Sequence, residues 1–121
     1  MAATALITIQ GTITGLAGGE SKIGPITLSS AAANGQKLPF VLVSGPNTVP
    51  VPPLPKTSGC IITLDPANTV VTTLKGVAGD TGIAIGKTTK TVLNWDPTAA
   101  PSGFVLSSAS LQTGITYVEF F

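Results

Sequence analysis

The chain has 121 residues, a length that suits one domain, expected here to be a single unit over 1–121 with one core. Charged residues make up only 9% of it, against about 25% in an ordinary domain, while 43% are hydrophobic; that balance excludes a disordered polyelectrolyte. The net charge is +1, there is no arginine, and Lys22, Lys37, Lys56, Lys75, Lys87 and Lys90 are scattered, so the basic stripe that nucleic-acid binding requires is missing.

The absence of histidine and the single cysteine, Cys60, exclude an intramolecular disulfide and a Cys/His zinc site. Cys60 lies in the apolar run Gly59-Cys60-Ile61-Ile62, which predicts a buried, inert thiol. No apolar run approaches the 18 residues of a spanning helix, and Met1–Ala5 lacks the basic region of a secretory leader. The chain is expected to be made in a cytoplasm and to need neither a membrane nor a cofactor. A surface this poor in charge is weakly protected against association, which points to a chain covered by partners or by copies of itself.

Strand signals run along the whole sequence. Residues 5–14 alternate, with Ile7, Ile9, Gly11 and Ile13 on one face and Thr8, Gln10, Thr12 and Thr14 on the other, the period of a half-buried strand. Further strands are predicted over 26–30, 38–44, 59–64, 69–77, 82–85, 91–95, 104–108 and 115–121. Asn34-Gly35, Gly45-Pro46-Asn47, Asp65-Pro66-Ala67-Asn68, Gly79-Asp80-Thr81-Gly82, Asp96-Pro97-Thr98 and Pro101-Ser102-Gly103 supply turn chemistry between them. No window has the pattern and caps of an amphipathic helix. Residues 49–55 carry Pro50, Pro52, Pro53 and Pro55. Proline has no N–H to give a central strand, so this segment reads as an extended crossover or a sheet edge. The expected fold is an all-β, antiparallel sandwich of eight or nine short strands with jelly-roll-like or Greek-key connections.

Several motifs suggest chemistry and then fall short of it. Asp80-Thr81-Gly82 is the triplet of the aspartic proteases, but Ala78-Gly79 before it makes a turn where a strand is needed, and the later apolar-strand-plus-glycine element is immediately adjacent at 83–86. Residues 81–88 approach a phosphate loop, but Thr81 stands where glycine is needed and a strand-like run follows where a helix must. The run from Val51 to Lys56 falls one position short of a polyproline ligand. Asp65, Asp80 and Asp96 sit in three separate turns, as Asx-turn residues do, without the clustered pattern of a Ca²⁺ loop. The sequence therefore nominates no catalytic, metal or cofactor residue. It nominates an interface: Tyr117, Phe120 and Phe121 put aromatics on both faces of the last predicted strand, one face for the core and the other for a neighbour.

Pro50-Val51-Pro52, Ser58-Gly59-Cys60-Ile61-Ile62, the run Thr73–Ile83 and Trp95-Asp96-Pro97 together resemble small virion structural proteins of tailed bacteriophages, over roughly residues 45–121. The resemblance implies a jelly-roll or β-sandwich module that decorates or cements the capsid exterior as a homo-oligomer. It implies other virion proteins as partners and the virion, assembled in the host cytoplasm, as the location. A tail, baseplate or neck component is the alternative within that class. A carbohydrate-binding module, which would present Trp95 and Tyr117 as exposed platforms, and the aspartic protease are the alternatives outside it.

Overall fold

The computed structural model describes residues 5–15, 17–30, 36–52 and 57–121. Those residues form ten strands and one short 3₁₀ turn at Pro97–Ala99. The strands are β1 (Ala5–Ile13), β2 (Ser21–Ser30), β3 (Gln36–Phe40), β4 (Gly45–Pro50), β5 (Gly59–Thr63), β6 (Thr72–Lys75), β7 (Ile83–Ala84), β8 (Lys90–Asn94), β9 (Gly103–Ser108) and β10 (Thr116–Phe120). Eight of them make two four-stranded antiparallel sheets, ordered β3-β10-β5-β8 and β4-β9-β6-β7, while β1 and β2 form a separate hairpin.

The pairing follows one rule. Within the sandwich the first strand pairs with the last (β3 with β10), the second with the last but one (β4 with β9), then β5 with β8, and β6 with β7. This is one long hairpin folded over on itself, the winding of a jelly roll. The expected fold class is what the chain adopts. Ten strands stand where eight or nine were expected, because β4 was not anticipated. Pro46 and Pro50 disguise it, yet β4 is an edge strand, where a missing N–H costs no ladder bond.

Alternation decides what goes inside. In β10 Thr116, Val118 and Phe120 are buried while Tyr117 and Glu119 are half-buried. Across the same sheet Val118 faces Leu38 and Ile62, and Phe120 faces Cys60, which in turn faces Leu93. The opposing sheet contributes Val49, Phe104 and Leu106, with Leu74 partly buried beside them. Leu42, Val49, Ile62, Leu64, Leu106 and Val118 are each at most 1% exposed. Each such side chain contributes about 1.5–3 kcal/mol by leaving water.

The two ends of the sandwich are closed differently. At one end Thr72, Ser108, Gln112 and Thr116 are buried and bonded to one another. Gln112 Nε2 donates to Thr72 Oγ1 and Ser108 Oγ, and Thr116 Oγ1 donates to Gln112 Oε1. Ser108 Oγ donates on to the Ser110 carbonyl, and the Gln112 N–H donates to the Leu42 carbonyl, so the network is tied to backbone as well. At the other end the C-terminal residue folds back over β5. Ser58 N–H donates to the Phe121 carbonyl at 2.6 Å, and Phe121 N–H donates to the Gly59 carbonyl at 3.1 Å. A Cβ at position 59 would strike the Leu93 carbonyl oxygen and come within 2.7 Å of the Phe121 ring, so only glycine lets these three segments meet.

The proline-rich segment begins as the end of β4. Val49 and Pro50 pair with Phe104 and Gly103, and Val51 N–H donates to the Ser102 carbonyl. The chain then leaves for β5 in the other sheet; 53–56, with the rest of the predicted crossover, lie outside the described residues, as does Asn34-Gly35. Both edge strands on one flank of the sandwich carry proline, Pro39 in β3 and Pro46 and Pro50 in β4, whereas β7 and β8 on the opposite flank carry none.

Candidate docking surfaces

Hairpin β1–β2 pairs Ile7 with Leu28, Ile9 with Ile26, Gly11 with Ile23 and Ile13 with Ser21. Directly paired residues share a face, so Ile7, Ile9, Ile13, Ile23, Ile26 and Leu28 make one aliphatic strip. The other face carries Thr8, Gln10, Thr12, Lys22 and Thr27, with Leu6 as its one large apolar side chain. A register shift between Ile9 and Gly11 places Gly24 and Pro25 opposite Gln10 and keeps the aliphatic face continuous across it. Gly24 has φ +75°, and a Cβ there would run into the Ile9 carbonyl, so the bulge requires glycine.

On this strip Ile7, Ile9 and Leu28 are half-buried. Ile13, Ile23 and Ile26 are 43%, 37% and 45% exposed, and neither strand packs extensively on the sandwich. In the sandwich the same alternation ends in burial; in the hairpin it leaves half of the strip in solvent.

A second apolar surface opens between the two sheets on the β7–β8 flank. Leu74 and Ile83 line it from one sheet and Leu93 and Trp95 from the other, with Phe104 at its floor, around a volume of about 440 Å³. Ile83 is 71% exposed at its rim. Trp95 is held in place by its indole N–H, which donates to the Thr57 carbonyl at 2.8 Å, and its ring lies 6.5 Å from that of Phe120. Lys75 and Asp80 bring the only charges to this cleft.

The nominated interface residues divide. Phe120 and Phe121 are 3% and 5% exposed and belong to the chain's own interior. Phe120 points inward by alternation; Phe121 follows the last residue of β10 and lies over Gly59. Tyr117 alone faces outward, half-buried, with Lys37 Nζ 4.6 Å from its ring centre and Lys37 also 3.8 Å from Glu119. Trp95 packs inward and Tyr117 outward, so these two rings do not share a face.

The motifs with chemical overtones settle into turns. Asp80 Oδ2 accepts the Val77 N–H at 3.0 Å while Asp80 N–H donates to the Val77 carbonyl, closing the β6–β7 connection. Asp65 Oδ1 accepts Ala67 N–H, and Asp96 Oδ1 accepts both the N–H and the hydroxyl of Thr98. Among the described residues no three His, Cys, Asp or Glu side chains come close enough to hold a metal ion. No helix follows Lys87; strand β8 does. Cys60 is fully buried, and loss of hydration pushes its thiol pKa up to about 12, far from the thiolate that reactivity requires.

No helix of the described residues is long and apolar enough to cross a membrane. Searches against family models, curated proteins and solved structures return no match to this chain.

Proposed function

We propose that the chain is a non-enzymatic structural subunit of a tailed-phage virion, binding the capsid exterior as an oligomer to decorate or cement it. The observation that carries this reading is the pair of uncovered apolar surfaces on a charge-poor jelly roll: the aliphatic hairpin face and the cleft between β7 and β8. Large exposed apolar patches on a folded domain mark sites that other proteins cover. Double-sheet jelly rolls recur in viral capsid proteins, which agrees with the resemblance in the sequence.

Docking is assigned to the hairpin and the cleft, with Tyr117 as the one nominated C-terminal residue that still faces outward. Co-sedimentation of the purified chain with heads of the phage that encodes it, prepared without this subunit, tests the reading. Saturable binding that Trp95→Ala or Ile83→Asp weakens is the expected result. No binding at about 10 μM, well above the dissociation constant of a specific standard-size interface, removes it.

A further inference from the structure

Each sheet of the sandwich ends in two edge strands, and β8 is the edge left open. Strands β3 and β4 carry proline and β7 has only two residues, whereas β8 runs for five residues without a proline. Trp95 N–H donates to the Ser58 carbonyl at 2.8 Å, which sets the phase of the β5–β8 ladder: Trp95, Leu93 and Thr91 aim their backbone groups at β5. Lys90, Val92 and Asn94 therefore aim theirs off the sheet, where they meet no backbone partner among the described residues. We propose that a second copy of the chain takes this edge, its own β8 running antiparallel to this one about a two-fold axis through Val92. The proposal deepens the oligomer part of the function proposed above by naming the strand that joins the copies.

The first argument is register. With Val92 on the axis, Val92 opposes the partner's Val92, Lys90 opposes the partner's Asn94, and Asn94 opposes the partner's Lys90. Every outward N–H of the strand then meets a carbonyl, and every outward carbonyl an N–H. A shift of the partner by two residues in either direction leaves one of the three positions with no strand residue opposite it.

The second argument is the side chains that this register brings together. Directly paired residues share a face, so the exposed Lys90 stands beside the partner's Asn94, twice by symmetry. The Asn94 amide donates through Nδ2 to the Ser58 carbonyl at 2.8 Å, and its Oδ1 accepts no bond among the described residues. The amide is thus held at the edge with an acceptor to offer, opposite an ammonium group that can donate to it. The two lysines lie four positions apart along the seam, about 14 Å, so like charges do not meet. A strand of another protein would have to supply both the donor and the acceptor at these positions; β8 set against itself carries both.

The third argument is the second sheet. An axis normal to the sheet keeps the second sheets of both copies on one side, so β7 faces the partner's β7 and Ile83, exposed at the rim of the cleft, turns toward its mate. A lone peptide strand added to β8 would leave Ile83 in water, whereas a second copy brings a whole flank to cover it.

Light scattering on the full chain, fractionated by size at up to about 100 μM, tests the pairing. The wild-type chain should run at twice its own mass. Val92→Pro deletes an N–H that points off the sheet, so it should keep the wild-type thermal transition and raise the dissociation constant at least tenfold. Val92→Cys puts two thiols on the axis, with the Cα separation of about 5.5 Å of a hydrogen-bonded pair, and should link two chains by a disulfide on air oxidation, the native Cys60 being buried. Lys90→Cys, about 14 Å from its mate, should stay unlinked. A wild-type chain that is monomeric throughout that range overturns the pairing. So does a dimer that Val92→Pro leaves unchanged, a folded Val92→Cys chain that does not link, or a Lys90→Cys chain that links as readily. A monomer whose binding to phage heads is lost with Val92→Pro would overturn it too, and would give the edge to a capsid strand. A dimer that ignores phage heads would remove the capsid reading and leave the pairing standing; a monomer that binds heads would do the reverse.

Discussion

Strands β1 and β10 carry the same signal and meet different fates. Each alternates apolar with polar residues, each has one face that water disfavours, and each is paired along its length. In β10 that face closes onto the opposing sheet and Val118 is fully buried; in the hairpin the equivalent face keeps Ile26 45% exposed. Period-two patterning states that a face needs cover. It is silent on whether the cover comes from the same chain.

The sharpest way to break this comparison is to empty a buried site in the sandwich. Leu106→Ala or Ile62→Ala should cost about 3 kcal/mol, since each empties a site no more than 1% exposed. Chemical unfolding with a fixed m-value reads this directly. A loss under about 1 kcal/mol would mean that the sandwich is loosely packed and that the contrast with the hairpin is false.

Gln112→Ala should come next, at about 2 kcal/mol. The amide meets Thr72, Ser108 and Thr116 at once, and its removal strands buried hydroxyls without their partner. Gln112→Glu should be worse than Gln112→Ala at neutral pH, because it buries a charge and loses two donor bonds, and it should recover as the pH falls. Measured unfolding midpoints at pH 7 and pH 4 test the order.

A smaller effect belongs to Cys60. Its folded pKa is about 12 against 9.0 for an unperturbed thiol. The raised value means that the stabilising difference is complete below pH 9 and is lost as the pH climbs from 9 toward 12. The loss should be of the order of 1 kcal/mol by pH 10. Cys60→Ala should flatten that slope at some cost in packing, and the native thiol should resist an aromatic disulfide reagent until the protein unfolds.

The smallest effect should be at Asp80. Asp80→Asn keeps an oxygen for the Val77 N–H in an exposed turn, so stability should move by less than about 0.5 kcal/mol, as should particle binding. A larger change in either would give this carboxylate a role beyond the turn.

Much of the fold was legible because alternation, turns and edges are local properties. Ile7, Ile9 and Ile13 announced a one-faced strand, and Val118 with Phe120 announced the inward face of the last one. Strand β4 was legible only at its Val49–Pro50 end, which falls in the segment expected as a crossover or sheet edge; Pro46 argues against a strand until its edge position is known, and position in a sheet is a tertiary fact. Gly45-Pro46-Asn47 reads as a turn for the same reason. The Asn47 side chain does brace the bend before it, bonding to Val43 and Gly45, but it also reaches the Leu106 carbonyl across the ladder. Phe121 departs from the expected face for a different reason. Strict alternation sends Phe121 outward, but the chain leaves the strand at that point and turns its ring over Gly59, which no spacing rule reveals. The β1 face could be read residue by residue, whereas the start of β2 at Ser21 instead of Ile26, its pairing with β1 and the face's want of a cover could not.

The prolines at the sheet edges give the molecule a handed growth rule. A neighbour's strand that tried to extend either sheet past β3 or β4 would meet Pro39, Pro46 and Pro50, which offer no N–H, while past β8 it would meet an uninterrupted run from Lys90 to Asn94. Runaway edge-to-edge stacking, which needs two compatible flanks on every copy, is thereby denied one of them.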